Sequence, residues 1–292
     1  MKVLVLGSTG YIGTAVTRRL TQDGHTVVPF LKTGTTLPPE PGLDVRLGNL
    51  TDPDSLRAAV TDDIDAVVNL ATPTGDEHAD TAAIDALTQP LRGTGRALVY
   101  TSGIWVLGAT GDNTATEDTP TDPIDIVGYR PRIEQQVLDA ARDDVRTAVI
   151  RPGIAYGHGG GIPALMLNWA KENGTGRYVG TPDTRWPMVH IDDLAALYTL
   201  VLTKADPGTL WHGIAHTAVG TPALAAAADL AAGGTGRAEP WPLAQAAETL
   251  GLPFAQALAL DQTISGDRAA DLLGWQPTQA HPTTDLTAGS YA

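Results

Sequence analysis

Gly7, Gly10 and Gly13 in "GSTGYIG" have the spacing of a phosphate-binding turn. Gly7 would permit the tight turn, Gly10 would let the backbone approach a pyrophosphate, and Gly13 would let a helix pack close on the preceding strand. Such a turn leaves N–H groups at a helix N-terminus, where the peptide dipoles favour negative charge. Thr9, Tyr11 and Ile12 complete the motif and join the expected cofactor contacts. The end of the second strand then selects the dinucleotide. An acid there would hold a ribose diol, and a base would hold a 2′-phosphate. The residues are Phe30, Leu31, Lys32, Thr33 and Gly34, with no acid and one of only four lysines in the chain. Lys32 therefore predicts NADPH. Hydride transfer from such a cofactor needs an electrophilic carbon held against the nicotinamide and stabilisation of the oxyanion that forms. The histidines and acids show no metal-ligand spacing in the sequence, and no Gly-x-Ser-x-Gly elbow occurs.

The elements that must position these residues follow from the patterning. "KVLVLG" is a continuous apolar run, as a buried parallel strand should be. In "YIGTAVTRRLTQDG", Ile12, Val16 and Leu20 share one helical face, and Gly24 ends the helix. "HTVVPFL", "LDVRLGNL", "DAVVNLA", "RALVYTSG" and "VRTAVIRPG" read as the second to sixth strands. "DPDSLRAAV" starts a short helix with an Asp cap and Pro53 in its first turn, and "IEQQVLDAARDD" and "HIDDLAALYTLVLTKA" are helices. Alternating strands and helices predict an α/β fold, a Rossmann-type doubly wound parallel sheet with a small C-terminal substrate-binding lobe. Residues 1–153, with 188–215 returning, form the expected dinucleotide-binding domain. Residues 154–187 and 216–292 form the expected substrate-binding lobe, with Ala-rich helical pieces at 223–232, 243–250 and 266–273. Residues 104–127 read as a long acidic loop, and 154–187 as Gly-rich and irregular.

The bulk numbers narrow the partners. The net charge of −14 argues against nucleic acid or an anionic membrane surface, since both would repel the chain. Cysteine is absent, so disulfides, thiolate catalysis and cysteine-ligated metals are excluded. No apolar stretch approaches the roughly 18 residues of a membrane span, and the N-terminus reads as a strand rather than a leader. A cytoplasmic protein acting on a small molecule, as monomer or homodimer, is expected.

Six motifs in order carry a resemblance over nearly the whole chain: "VLGSTGYIG", "GNLTD", "VVNLATP", "RPGIAYG", "HIDDLA" and "LLGWQP". The chain resembles the extended, or atypical, short-chain dehydrogenase/reductases, the NAD-dependent epimerase/dehydratase family. The resemblance implies that Asn49 and Leu50 lie against the adenine. It implies that Ala71, Thr72 and Pro73 line the cofactor cleft, and that the backbone at Pro152 and Gly153 approaches the nicotinamide end. In that family a Ser/Thr, a Tyr and a Lys four residues after the Tyr carry the proton chemistry. Here the tyrosine matches Tyr129, but the lysine position is Ile133, and the hydroxyl position falls on Gly103 with Ser102 one residue early. Arg130 and Arg132 stay protonated and cannot join a proton relay as lysine does. The pattern is similar to a subset of the family that has lost the triad, including a type that reduces a ketone on an angucyclinone, an aromatic polyketide. In that type a neighbouring phenol activates the carbonyl.

Ser102 and Tyr129 remain the expected catalytic groups, as hydrogen-bond donors. Without a lysine, Tyr129 is expected to keep a pKa near 10. Gly103, Trp105, Tyr156, Met166 and Trp186 are expected to contact substrate, and the large apolar residues among them suit a flat hydrophobic molecule. The reading is an NADPH-dependent ketoreductase acting on an aromatic or polycyclic secondary metabolite. The alternatives are a non-catalytic NADP-binding regulatory or partner-binding protein, and a sugar-nucleotide epimerase or dehydratase.

Overall fold

The computed structural model describes residues 1–35 and 44–292. In chain order its first elements are β1 (Lys2–Leu6), α1 (Tyr11–Gln22), β2 (Thr26–Lys32), β3 (Arg46–Gly48), α2 (Pro53–Ala59), β4 (Ala66–Asn69) and α3 (Glu77–Thr88). Next come β5 (Ala97–Thr101), α4 (Arg130–Asp139), β6 (Arg146–Pro152), β7 (Ile154–Tyr156), α5 (Gly161–Asn173), β8 (Gly176–Val179) and β9 (Arg185–His190). The last are α6 (Ile191–Lys204), β10 (Thr209–Gly213), β11 (His216–Gly220), α7 (Thr221–Ala231), β12 (Ala238–Trp241), α8 (Leu243–Leu250), α9 (Leu252–Leu258), α10 (Asp267–Leu273) and α11 (Pro282–Ala288).

The chain divides into two compact units. Unit 1 comprises residues 1–102, 129–151 and 195–211, and unit 2 comprises 103–128, 152–194 and 212–292. The seven-stranded sheet has the order β10-β6-β5-β4-β1-β2-β3, so the strand order reverses between β1 and β4. This is the doubly wound arrangement, which places a ligand crevice at the carboxyl ends of the strands near the reversal. The parallel register runs Val3 to Ala66 across β1–β4 and Ala97 to Arg146 across β5–β6. Leu4, Leu6, Val67, Leu98, Tyr100 and Val149 project to one face, where they pack with Leu56 of α2, Ile84 and Leu87 of α3, and Ile133 and Val137 of α4. Local signals start the helices. Asp52 caps α2 by accepting from the N–H groups of Asp54 and Ser55, and Asp76 caps α3 through those of His78 and Ala79.

Unit 2 contains a three-stranded sheet, β11-β9-β7, and a parallel β12-β8 pair. Its core is built around Tyr156, Met166, Trp169, Trp186, Met188, Leu224 and Trp241. Small residues let its elements approach closely. A Cβ on Gly176 would stand 2.0 Å from the carbonyl oxygen of Ala225, so β8 and α7 are in backbone contact there. Two of the sequence landmarks meet inside this unit. The Asp193 carboxylate accepts from the N–H groups of Thr278 (2.9 Å) and Gln279 (3.1 Å), and Trp275 Nε1 donates to the Asp193 carbonyl at 2.8 Å.

Several assignments differ from the sequence reading. Residues 103–128 belong to unit 2, because Ile104, Val106, Leu107, Ala115 and Val127 are part of its core. Residues 188–194 and 212–215 also fall in unit 2. The stretch 154–187 is not irregular: its glycines flank a 13-residue helix, α5, and three strands. Short elements between glycines carry too few periods for patterning to reveal them.

Candidate active site

In the β1–α1 turn of unit 1, Gly7 makes a tight turn and Gly13 lets the helix approach it closely. Gly7 has φ +74°, and a Cβ on it would stand 2.7 Å from the backbone of Leu70 at the end of β4. A Cβ on Gly13 would stand 1.9 Å from the Gly7 carbonyl oxygen, so helix α1 rests directly on the turn. Gly10 is different. A Cβ there would meet only Gly7 O, at 3.3 Å, and Gly10 caps α1 with extended backbone and no side chain. Gly10 thus stands at the N-terminus of α1, whose first turn holds no acid, the setting that favours an anion.

That turn opens into a cleft of about 510 Å³ lined by Gly7, Thr9, Gly10, Lys32, Asn49, Leu50, Ala71 and Thr72. Eight of the expected cofactor residues therefore share one cleft at the carboxyl ends of β1, β2 and β4. Lys32 is exposed at its edge. The cleft walls are held by short tethers. Ser55 Oγ accepts from Asn49 N–H at 3.0 Å, and Asn69 Oδ1 accepts from Ala71 N–H at 3.1 Å. Thr35, Thr51 and Thr74 also line the cleft and were not read from the sequence, since threonines in loops carry no pattern. Tyr11, Ile12 and Gly13 form the first turn of α1. Pro73 lines a small neighbouring cavity of about 20 Å³ with Asn69, Asp80, Tyr100 and Ile133. Pro152 and Gly153 lie in unit 2.

Tyr129 precedes α4 with its phenol fully engaged. It donates to Asp80 Oδ2 at 2.6 Å and accepts from Gly75 N–H at 3.2 Å. Asp80 also accepts from the Thr74 N–H at 3.0 Å and the Thr74 hydroxyl at 2.8 Å, so it ties the loop after β4 to the start of α4. Burial, and then the Asp80 carboxylate beside it, push Tyr129 up to about 12, where the sequence predicted a value near 10. Ile133 is buried in the unit 1 core. Beside it Glu134 forms a buried two-pronged pair with Arg151, Nε to Oε1 at 2.9 Å and Nη2 to Oε2 at 2.5 Å. Ser102 directly follows β5, buried, and its Oγ has no hydrogen-bond partner among the described residues. Asp80 was missed because α3 itself was not read, although the Asp76 cap was a usable signal.

The residues expected to contact substrate separate into two groups. Tyr156, Met166 and Trp186 belong to the hydrophobic core of unit 2 rather than to an open surface. The Tyr156 hydroxyl donates to Ala280 O at 2.6 Å, and Trp186 Nε1 to Leu258 O at 3.1 Å. Large apolar side chains in Gly-rich segments were read as cleft residues, but unit 2 is a full-sized compact unit and uses them in its own core. Trp105 is half-buried, edge-on to Phe254 at 6.4 Å, and Gly103 has extended backbone with φ −178°. In the same unit His158, His190 and Asp192 converge, with His158 Nε2 2.8 Å from Asp192 Oδ2. The Asp192 N–H donates to His190 Nδ1 at 3.2 Å, so this group is a hydrogen-bonded tie at the start of α6.

The comparisons with known proteins agree with this geometry. The model of the NAD dependent epimerase/dehydratase family matches residues 3–212. The protein C2A9.02 of Schizosaccharomyces pombe is 29% identical, with all of each chain aligned. The 2-alkyl-3-oxoalkanoate reductase of Stenotrophomonas maltophilia is 28% identical over 74% of this chain and 69% of its own. Among solved structures, human epimerase family protein SDR39U1 with NADPH superposes with a TM-score of 0.76 at 24% identity, covering 99% of each chain, and shares the fold. A glycine turn at a strand reversal, a cleft along three strand ends and a family match spanning both lead to one conclusion: the chain belongs to the NAD dependent epimerase/dehydratase family.

Proposed function

We propose that the protein is an NADPH-dependent reductase of an already activated ketone, working without a tyrosine–lysine proton relay. The observation that carries the reading is the fate of Tyr129 and Ile133. The phenol is bound to Asp80 at 2.6 Å and pushed up to about 12, and the residue four places on is sealed in the core. A phenol held in that way is a poor proton donor at neutral pH. The cleft at the strand ends supports dinucleotide binding: Lys32 lines it, as a 2′-phosphate contact would, and none of its described lining residues is acidic. Bound NADPH would supply the hydride; the chain would hold and orient it.

An activated ketone has an acidic or hydrogen-bonding group next to the carbonyl. A phenol beside the ketone of an aromatic polycycle meets that need by protonating the new alkoxide itself. The relative named 2-alkyl-3-oxoalkanoate reductase supports carbonyl reduction, and its name specifies a ketone β to a carboxylate, one carbon removed from it. Alcohol oxidation of a sugar nucleotide needs a strong base, which Tyr129 in this setting does not supply.

Calorimetry with NADPH and NADH tests the cofactor half of the reading. NADPH should bind at micromolar or tighter dissociation constants and well ahead of NADH. Lys32→Ala should weaken NADPH about tenfold or more while leaving NADH unchanged, as expected for loss of a charge-assisted contact. Equal affinity for the two dinucleotides, or no effect of Lys32→Ala, would refute it.

A further inference from the structure

The α4-facing side of unit 1 has more hydrogen-bond donors than acceptors at the carboxyl ends of β5 and β6. The register Tyr100 to Val149 and Thr101 to Ile150 puts Ser102 beside Arg151. Side chains alternate along a strand, so Ser102 and Arg151 project to the same face as Tyr100 and Val149, the face covered by α4. Ser102 and Arg151 are only 6% and 4% exposed, yet Ser102 Oγ and Arg151 Nη1 have no hydrogen-bond partner among the described residues. Arg130 stands on the same side of α4 as Ile133, Glu134 and Val137, one turn before Glu134 and nearer the strand ends. It is half-buried and makes no hydrogen bond or ion pair among the described residues. Its charge acts on both Tyr100 and Tyr129, opposing the upward push of burial on each phenol.

The two carboxylates on this face are already engaged. Glu134 uses both oxygens on Arg151, and Asp80 accepts from Thr74 and Tyr129. Buried polar groups in folded proteins are nearly always paired, so orphaned donors call for a partner. A guanidinium carries five N–H donors and no acceptor, and matches a planar oxyanion.

We propose that Arg130, with Ser102 and Arg151 beneath it, forms a site for a resonance-stabilised oxyanion, a carboxylate or phenolate on the substrate next to the reacting carbonyl. This deepens the reductase reading and rests on it for the term substrate. If the substrate's own phenol gives its proton to the alkoxide after hydride transfer, the phenol oxygen keeps the electron pair and becomes the phenolate. Arg130 would hold that charge until water returns a proton. A β-keto acid would place its carboxylate on the same group from the start.

Anion binding can be measured apart from turnover. Benzoate, 4-nitrophenolate and neutral benzamide would each be titrated calorimetrically into the full-length protein, with and without saturating NADP⁺. At least one of the two anions should bind while benzamide does not. Benzoate alone would point to the carboxylate source, and 4-nitrophenolate alone to the phenolate. Arg130→Met should weaken the anion about tenfold or more, and Arg130→Lys should recover part of the loss. A half-buried side chain without partners can be replaced at little cost in stability, so an unchanged thermal midpoint verifies the fold of both variants. Binding of neither anion, or equal binding to wild type and Arg130→Met, would overturn the site. Failure of NADPH to bind while the anion still depends on Arg130 would overturn the reductase reading and leave the site standing.

Discussion

Tyr129 and Ser102 show how far residue type is from residue role. Both are hydroxyls near the ends of the β4–β5 region, and both were expected to donate to a substrate oxygen. The structure gives the phenol of Tyr129 a carboxylate partner in Asp80, and leaves Ser102 Oγ buried and unpaired among the described residues. A phenol held by a carboxylate organises structure. Tyr129→Phe should therefore cost about 1–2 kcal/mol of stability, as loss of a hydrogen bond to a charged group does, and lower kcat/KM by less than about tenfold. Urea unfolding and steady-state kinetics on one preparation would check both. A loss of about a thousandfold with unchanged stability would show that the phenol protonates the product after all.

At the scale of the element, the β1–α1 turn separates folding from binding. Gly13 is needed to fold, because any Cβ on it meets the Gly7 carbonyl at 1.9 Å, a backbone atom that cannot move aside. Gly10 is less constrained by the fold, because its Cβ would meet only the Gly7 carbonyl oxygen, at 3.3 Å, and the proposed reading makes it a binding residue. Gly13→Ala should destabilise the protein by more than about 2 kcal/mol through overpacking. Gly10→Ala should change stability by less than about 1 kcal/mol and weaken NADPH about tenfold or more by keeping the backbone away from the pyrophosphate. Denaturant midpoints and calorimetry on the two variants would test the contrast, and equal effects on both properties would remove it. The motif and its flanking strand and helix were legible in the sequence because all of these contacts are local. The tie from Asp80 to Thr74 and Tyr129 was not, because it joins residues 49 positions apart through a helix that the patterning did not reveal.

Across the whole molecule, pH acts on the histidines of unit 2. Burial holds His190 and His216 below the ordinary imidazole value of 6.5. The unfolded chain then binds more protons than the folded one just below pH 6.5. The stability these groups contribute is full above about pH 6.5 and is lost as the pH falls through their lower folded values. Each can lower stability by at most about 1.4 kcal/mol per pH unit. Thermal midpoints should fall between pH 7 and pH 5, and His216→Gln should flatten the slope. A flat profile in the wild type would rule this out. The same burial argument explains why Tyr156, Met166 and Trp186 were misplaced: composition shows which side chains are large and apolar, and only packing shows which of them have a core to fill.

By itself the sequence determined the doubly wound sheet, the glycine turn and the cleft residues from Gly7 to Thr72, since strand periodicity and a seven-residue motif depend on neighbours along the chain. Lys32 at the end of β2 belongs to the same local logic. Tertiary structure alone decided that Tyr129 is tied to Asp80, that Glu134 and Arg151 neutralise each other, and that Arg130 and Ser102 keep donors with no acceptor among the described residues. Those outcomes depend on which distant groups arrive within hydrogen-bond distance, and no spacing in the sequence records that.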